Sequence, residues 1–251
     1  MKRIGYRLNG LASPLLLLLA WHWAASAGLF PANLLIAPAA VWQTFIELCA
    51  SGELPEHLAF SLLRLAQGFA FGSAAGLGFG LALALSARVE AYCAPLFHTL
   101  RQLPSLALIP MFVLLFGIEE LFKVAIVALT VFFPVALATA EAVRHIPQRY
   151  LEVARVYRLP WYSLLLSVAL PAATPGIVTG LRIALTRAWV VLVACELLAA
   201  DSGLGQMIEM GRQMLRIDVV MVGVVVTGVI GFTLDVGLRR VERRLSGWQS
   251  R

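Results

Sequence analysis

The chain has 251 residues, 60% of them hydrophobic and only 14% charged, with a mean hydropathy of +0.85. A soluble domain of this size cannot hide so much apolar surface, so the composition excludes a soluble globular protein and describes a polytopic membrane protein. The net charge of +6 would suit a nucleic-acid binder, but the arginines sit in turns between apolar runs and at both ends, where they set topology instead.

Lys2, Arg3 and Arg7 precede an apolar run over residues 11–30, about the ~20 residues that cross a bilayer. Ala25-Ser26-Ala27 resembles a signal-peptidase site. The run is longer than a signal core, so an uncleaved first span is expected. Further spans are predicted over 58–85, 103–116, 121–141, 177–199 and 219–238. Pro95, Pro104 and Pro110 make the start of the third irregular. The expected fold is all-α, with six transmembrane helices and a cytoplasmic loop between the fourth and fifth. Residues 1–57 form a first span and outer loop, 58–238 a core, and 239–251 a basic tail.

The positive-inside rule fits this arrangement with both termini cytoplasmic. The inner segments then hold Lys2, Arg3, Arg7, Arg88, Arg101, Arg144, Arg149, Arg155, Arg158, Arg239, Arg240, Arg243, Arg244 and Arg251, which is 14 of the 20 basic residues. Acidic residues such as Glu47, Glu53, Glu119 and Asp201 gather outside. The outer stretches 31–57 and 201–218 read as loops.

Gly68, Gly72, Gly76 and Gly80 recur every fourth residue in the second span. Residues four apart share one helix face, and a row of glycines lets another helix come close in lipid. Ordinary packing within the chain explains such a row; a moving or inter-subunit contact is the alternative.

The loop from Gln148 to Ser167 is amphipathic. Leu151, Ala154, Val156, Leu159, Leu164 and Leu165 alternate with Gln148, Arg149, Glu152, Arg155 and Arg158. Pro147, Pro160 and Pro171 punctuate it, which reads as two short helices bent at Leu159-Pro160. Such a segment rests on lipid headgroups or docks into a groove on a protein, and the pattern alone leaves both open.

The loop resembles that of the inner-membrane permeases of ATP-binding-cassette importers. Their pattern is Glu-Ala-Ala, three residues, Gly, nine residues, Ile, one residue, Leu-Pro. Here Glu152, Val153, Ala154, Arg158, Val168, Leu170 and Pro171 stand at those positions. Arg158 replaces the glycine, so the turn is expected to move to Leu159-Pro160. The segments SGELPEHLAFSLLRLAQGF, LRQLPSLALIPMFVLLFGIEELFKVAIVAL, FFPVALATAEAV and CELLAADSGLGQMI are similar to permeases for nitrate, taurine and aliphatic sulfonates, and most to the sulfonate branch.

The resemblance implies a bacterial inner-membrane permease of the type I importer architecture, with a coupling loop over about 142–176. It implies three partners: two ATPase subunits, a periplasmic or lipid-anchored substrate-binding protein, and a second copy of the permease. Glu152, Ala154, Arg155, Arg158, Leu159 and Pro160 would then lie at or beside the ATPase contact, with Leu170 and Pro171 where the chain re-enters the membrane. A phosphate-binding loop needs a lysine beside Ser or Thr after a glycine-rich turn. Lys2 and Lys123, the only lysines, lack that setting, so the ATPase is expected on another polypeptide and the chain is not expected to be an enzyme.

Ionisable groups inside spans are costly and point to function. Arg64, Gln67, Arg182, Arg187 and Glu196 are the candidates for a translocation path, since arginine compensates an anion in a low-dielectric region. The plainer alternative is an internal ion pair, such as Arg64 with Glu196, or arginines reaching to headgroups. Ser202-Gly203-Leu204-Gly205 and Gly117-Ile118-Glu119-Glu120 read as outer turns. Cys49, Cys93 and Cys195 have no paired spacing and the four histidines form no ligand pair, so neither a metal nor a cofactor is expected. A stand-alone ion-coupled transporter would need mid-membrane carboxylates near broken helices, for which Glu196 is the sole candidate. No residue set supports an enzyme.

Overall fold

The structure is a computed structural model that describes residues 15–27, 35–147, 152, 156–157 and 160–246; every regular element among them is helical. Within the expected first span, Leu15–Ser26 is helical (α1). There follow α2 (Pro38–Ala50), α3 (Glu53–Leu85) and α4 (Ala87–Leu100). A 3₁₀ turn, Ser105–Leu108, leads into α5 (Ile109–Phe116) and then α6 (Glu120–Arg144). The last three are α7 (Leu170–Ala199), α8 (Leu204–Gln213) and α9 (Ile217–Ser246).

Among the described residues four helices are long and apolar enough to cross a bilayer: Glu53–Leu85, Glu120–Arg144, Tyr162–Ala199 and Ile217–Leu245. The sequence pattern expects a third span over 103–116, but that stretch is not one straight helix. It pairs with α4 across a bend of 85°, as a broken span or a re-entrant loop, and adds at most a fifth crossing. Pro104 drives the residue before it out of helical geometry, and Pro110 stands in the first turn of α5, where its missing N–H costs nothing. Gly117, at φ 75°, then ends α5.

Helix ends also overrun the apolar windows. α3 begins in an acidic turn, Glu53 and Glu56, which suits the positive end of its dipole. The fifth span does not start after Pro171. Helix runs from Tyr162, through a π-turn at Leu165–Ala169, straight into α7. A wider turn just before a proline gives its ring room against the preceding carbonyl and takes up the missing N–H.

α6 is the central element, with Phe122, Ile126, Val127, Val131 and Ala136 wholly enclosed. One of its sides takes the glycine row of α3. A Cβ on Gly68 would come 2.5 Å from Val127 Cγ1, and one on Gly76 would come 2.9 Å from the Phe132 carbonyl oxygen. Gly72 and Gly80 lie against the carbonyls of Ala128 and Ala136. The row therefore packs within the chain, backbone on backbone. Gly176 and Gly180 of α7 meet Ala142 and Ala138 on the other side of α6. α9 then closes on α7, where Trp189 Nε1 donates to the Thr227 carbonyl at 3.1 Å.

Two paired substitutions test this contact. Gly72→Ala drives a methyl into backbone that cannot move aside and is expected to destabilise the chain by about 1–3 kcal/mol. Gly78→Ala, on the same helix with nothing within 4 Å, is expected to be neutral or mildly stabilising. Thermal unfolding in detergent reads the difference; equal midpoints would contradict the close approach.

Candidate functional site

Ser61, Arg64 and Gly68 follow at helical spacing, so the face of α3 that carries the glycines ends in polar groups toward the N-terminal end of the helix. Arg64 is only 1% exposed. Its Nε and Nη2 each donate to Glu120 at 2.6 Å, as a fork. Its Nη1 donates to Glu196 Oε1 at 2.8 Å and to the Ser202 carbonyl at 2.6 Å, and Nη2 donates to Ser202 Oγ at 2.5 Å. All five guanidinium N–H donors are thus matched. Lys123 adds a bond to Glu120 at 3.1 Å. Arg64 and Lys123 balance Glu120 and Glu196, so the cluster is neutral.

Glu196, also 1% exposed, stands in the last turn of α7, where the helix dipole repels a carboxylate. The chain compensates by turning back. Ser61 Oγ donates to Glu196 at 2.8 Å, and the Gly205 N–H at the start of α8 donates to Glu196 Oε2 at 3.1 Å. Ser61 Oγ in turn accepts from the Leu204 N–H at 2.9 Å. The carboxylate therefore sits at the N-terminus of α8, a favourable place for an anion. Gly203 has φ 109°, and a Cβ there would fall on the Glu196 carboxylate. The Gly-Leu-Gly turn has its partner inside the chain.

A second network joins the N-terminal half of α7 to the C-terminal half of α9. Arg182 of α7 reaches Asp235 Oδ1 at 3.0 Å and Glu242 Oε2 at 2.9 Å, both on α9. Arg239 donates to Asp235 Oδ2 at 2.6 Å, and Thr179 donates to Glu242 Oε1 at 2.5 Å. Again two cations meet two carboxylates. Arg144 closes the same end by donating to the Leu83 carbonyl at 2.9 Å and pairing with Glu90 at 3.0 Å.

Between α6, α7 and the break after α4 lies a cleft of about 520 Å³. Arg187 of α7 lines it. So do Arg101, Gln102 and Ser105 at the break and Thr130 and Glu141 of α6. Arg187 thus stands apart from the other path candidates, and Gln67 is exposed on α3 away from all three sites. Arg101, which the sequence places in an inner loop, sits at the bend.

In the loop before α7, Glu152, Val156 and Tyr157 are exposed and Glu152 and Val156 are helical. Ala154, Arg155, Arg158 and Leu159 lie outside the described residues. Pro160 is exposed and precedes the helical turn; Leu170 and Pro171 line a small groove with Leu245.

The helices α2 and α8 replace what the sequence reads as loops. Their buried residues do repeat at helical spacing, as Val41, Thr44 and Leu48 and as Leu204, Met207, Ile208 and Gly211, but flanking Pro and Gly obscure the pattern. Asp218 accepts from Thr44 at 3.0 Å and so ties α9 to α2. On α8, hydrogen bonds from Arg212 and Gln213 pull the Glu209 carboxyl down to about 2.

Residues 72–247 match the family described as binding-protein-dependent transport system inner membrane component. The chain is 38% identical over 249 residues to the putative aliphatic sulfonates transport permease protein SsuC of Bacillus subtilis (strain 168), covering 99% of this chain and 90% of that protein. It is 35% identical over 237 residues to the taurine transport system permease protein TauC of Escherichia coli (strain K12), covering 92% and 86%. Among solved structures, an inward-facing conformation of the MetNI methionine ABC transporter aligns with a TM-score of 0.63 at 20% identity, over 74% of this chain and 93% of that one. That likeness shows a shared fold.

Removing one partner of a buried ion pair typically costs about 3–5 kcal/mol, because the other charge stays behind unpaired. Arg64→Met is therefore expected to lower the unfolding midpoint sharply. Adding Glu196→Gln should recover part of the loss, giving non-additive effects in a double-mutant cycle. Additive losses would show that the two residues do not interact.

Proposed function

We propose that this chain, which belongs to the binding-protein-dependent transport system inner membrane components, passes aliphatic sulfonates into the cytoplasm as the permease of an ATP-binding-cassette importer. It is a multi-pass membrane subunit and not itself an enzyme. The observation that carries the substrate is the 38% identity to a sulfonate permease along nearly the whole chain. Taurine, for which a relative at 35% is named, and nitrate are the competing solutes. A single-chain ion-coupled transporter is disfavoured, because Glu196 already spends its charge on Arg64, Ser61 and the α8 amides.

The energy then comes from two ATPase subunits bound at the inner side, and a substrate-binding protein delivers the solute outside. Two copies of the permease form the channel in the bacterial inner membrane. With a first span over 11–30 and the bent α4–α5 pair as a broken crossing, the chain has six spans and both termini in the cytoplasm. The arginine distribution supports that topology. The loop around Glu152–Pro171 is the coupling element. Its support is the matched motif spacing and the exposure of Val156 at 79% and Tyr157 at 75%, apolar side chains that a protein groove would cover.

A strain lacking this chain is expected to lose growth on ethanesulfonate as sole sulfur source and to keep growth on sulfate. The intact chain should restore it, and Glu152→Ala, inserted at equal level, should not. Normal growth on ethanesulfonate with a defect on taurine or nitrate would overturn the substrate. Full rescue by Glu152→Ala combined with Tyr157→Ala would overturn the role of the loop.

A further inference from the structure

We propose that the cleft between α6, α7 and the α4–α5 break is a transient seat for the oxyanion head of the solute, held by Arg101 and Arg187; this rests on the anion-permease reading above. Charge is the first reason. Of the three arginines among the path candidates, Arg64 and Arg182 are each met by two carboxylates. Arg187 has no carboxylate within 4 Å among the described residues, and neither has Arg101.

Depth is the second. Arg187 lies 12 residues before the end of α7, about 18 Å along the axis, against a hydrocarbon core about 30 Å thick. That is close to the middle of a crossing. An uncompensated guanidinium there is tolerated only against water or a bound anion.

The backbone is the third. Non-helical chain at membrane depth survives only when buried in protein or lining a wet cavity. The residues that break the bent pair, Arg101, Gln102 and Leu103, line this cleft together with Ser105.

The donors complete the picture. The side chains of Arg101, Arg187, Gln102 and Ser105 make no hydrogen bond among the described residues, so four donor groups face one space. Thr130 adds no donor, because its hydroxyl already donates to the Ile126 carbonyl at 2.8 Å. Glu141 is the one carboxylate in the lining and stands near the inner end of α6, about 16 Å along the axis from Thr130. The cleft is therefore net positive at depth and negative toward the cytoplasm. An anion is drawn in and is not held at the inner mouth. A guanidinium fork matches the planar pairs of oxygens on a sulfonate, and a carboxylate or phosphate head would be met by the same chemistry.

The test uses the assembled importer, permease with its ATPase and binding protein, in vesicles. Uptake of labelled ethanesulfonate and ATP hydrolysis are measured for wild type, Arg187→Gln, Arg101→Gln and Arg187→Lys. Each glutamine variant is expected to lose uptake by roughly tenfold or more, with hydrolysis kept within about twofold, and Arg187→Lys should retain an intermediate rate. Uptake within about twofold of wild type in both glutamine variants would overturn the proposal. So would equal loss of uptake and hydrolysis in Arg187→Gln and Arg187→Lys, which marks a structural role. A wild-type complex that hydrolyses ATP but moves no sulfonate, taurine or nitrate would instead overturn the anion-permease reading itself.

Discussion

A guanidinium in a low-dielectric interior is stable only when its charge and its donors are both met. Arg64 satisfies that condition by gathering four elements. Glu120 opens α6, Glu196 ends α7, Ser202 belongs to the turn after it, and Arg64 itself stands on α3. Ser61 and the first amides of α8 finish the enclosure. The helical register of α3 is thereby fixed at its outer end. With the register fixed, the glycine row one turn further on can only face α6. The polar cluster and the apolar seam are one face read in two chemistries.

The same condition sorts the remaining ionisable residues. At the other end of the helices Arg182 and Arg239 meet Asp235 and Glu242, which pins α7 to α9. These pairs are partly exposed, so their Coulomb energy is screened and their value is chiefly geometric. Two neutral networks thus bracket the core. Between them lie Arg101 and Arg187, which meet no carboxylate among the described residues. Arg64 and Arg182 are each met by two carboxylates, and the contrast with Arg187 is what supports the proposed anion seat.

Much of this was legible in the sequence. The four-residue glycine spacing announces a close helix contact, and charged residues inside apolar runs announce costly positions. What the sequence withholds is pairing. Arg64 and Glu196 are 132 residues apart, and nothing local tells that they meet or that Glu120 joins them. Composition also hides short helices. α2 and α8 are amphipathic and flanked by Pro and Gly, so hydropathy reads them as loops. Proline misleads in both directions. Pro104 does break a helix, whereas Pro171 is absorbed by the π-turn before it and leaves α7 continuous with the segment from Tyr162.

That continuity bears on how motion crosses the membrane. Helix runs without interruption from the proposed coupling loop, past Arg182 and Arg187, to Glu196. From Leu170 to Glu196 is 26 residues, about 39 Å of axial length. On the proposed reading, one helix therefore links the loop to the Arg182 network, the cleft and the Arg64 cluster. The π-turn at Leu165–Ala169 is the single irregular register in it, and it sits between the loop and the first network. Packed helices move as rigid units, and small shifts are taken up where register is irregular. On the proposed reading, a push at the loop first meets a joint, then Arg182 and its partners on α9. Arg187 follows whatever those ion pairs allow. Arg64 and its five acceptor atoms hold the far end, so the cleft lies between two ion-pair networks.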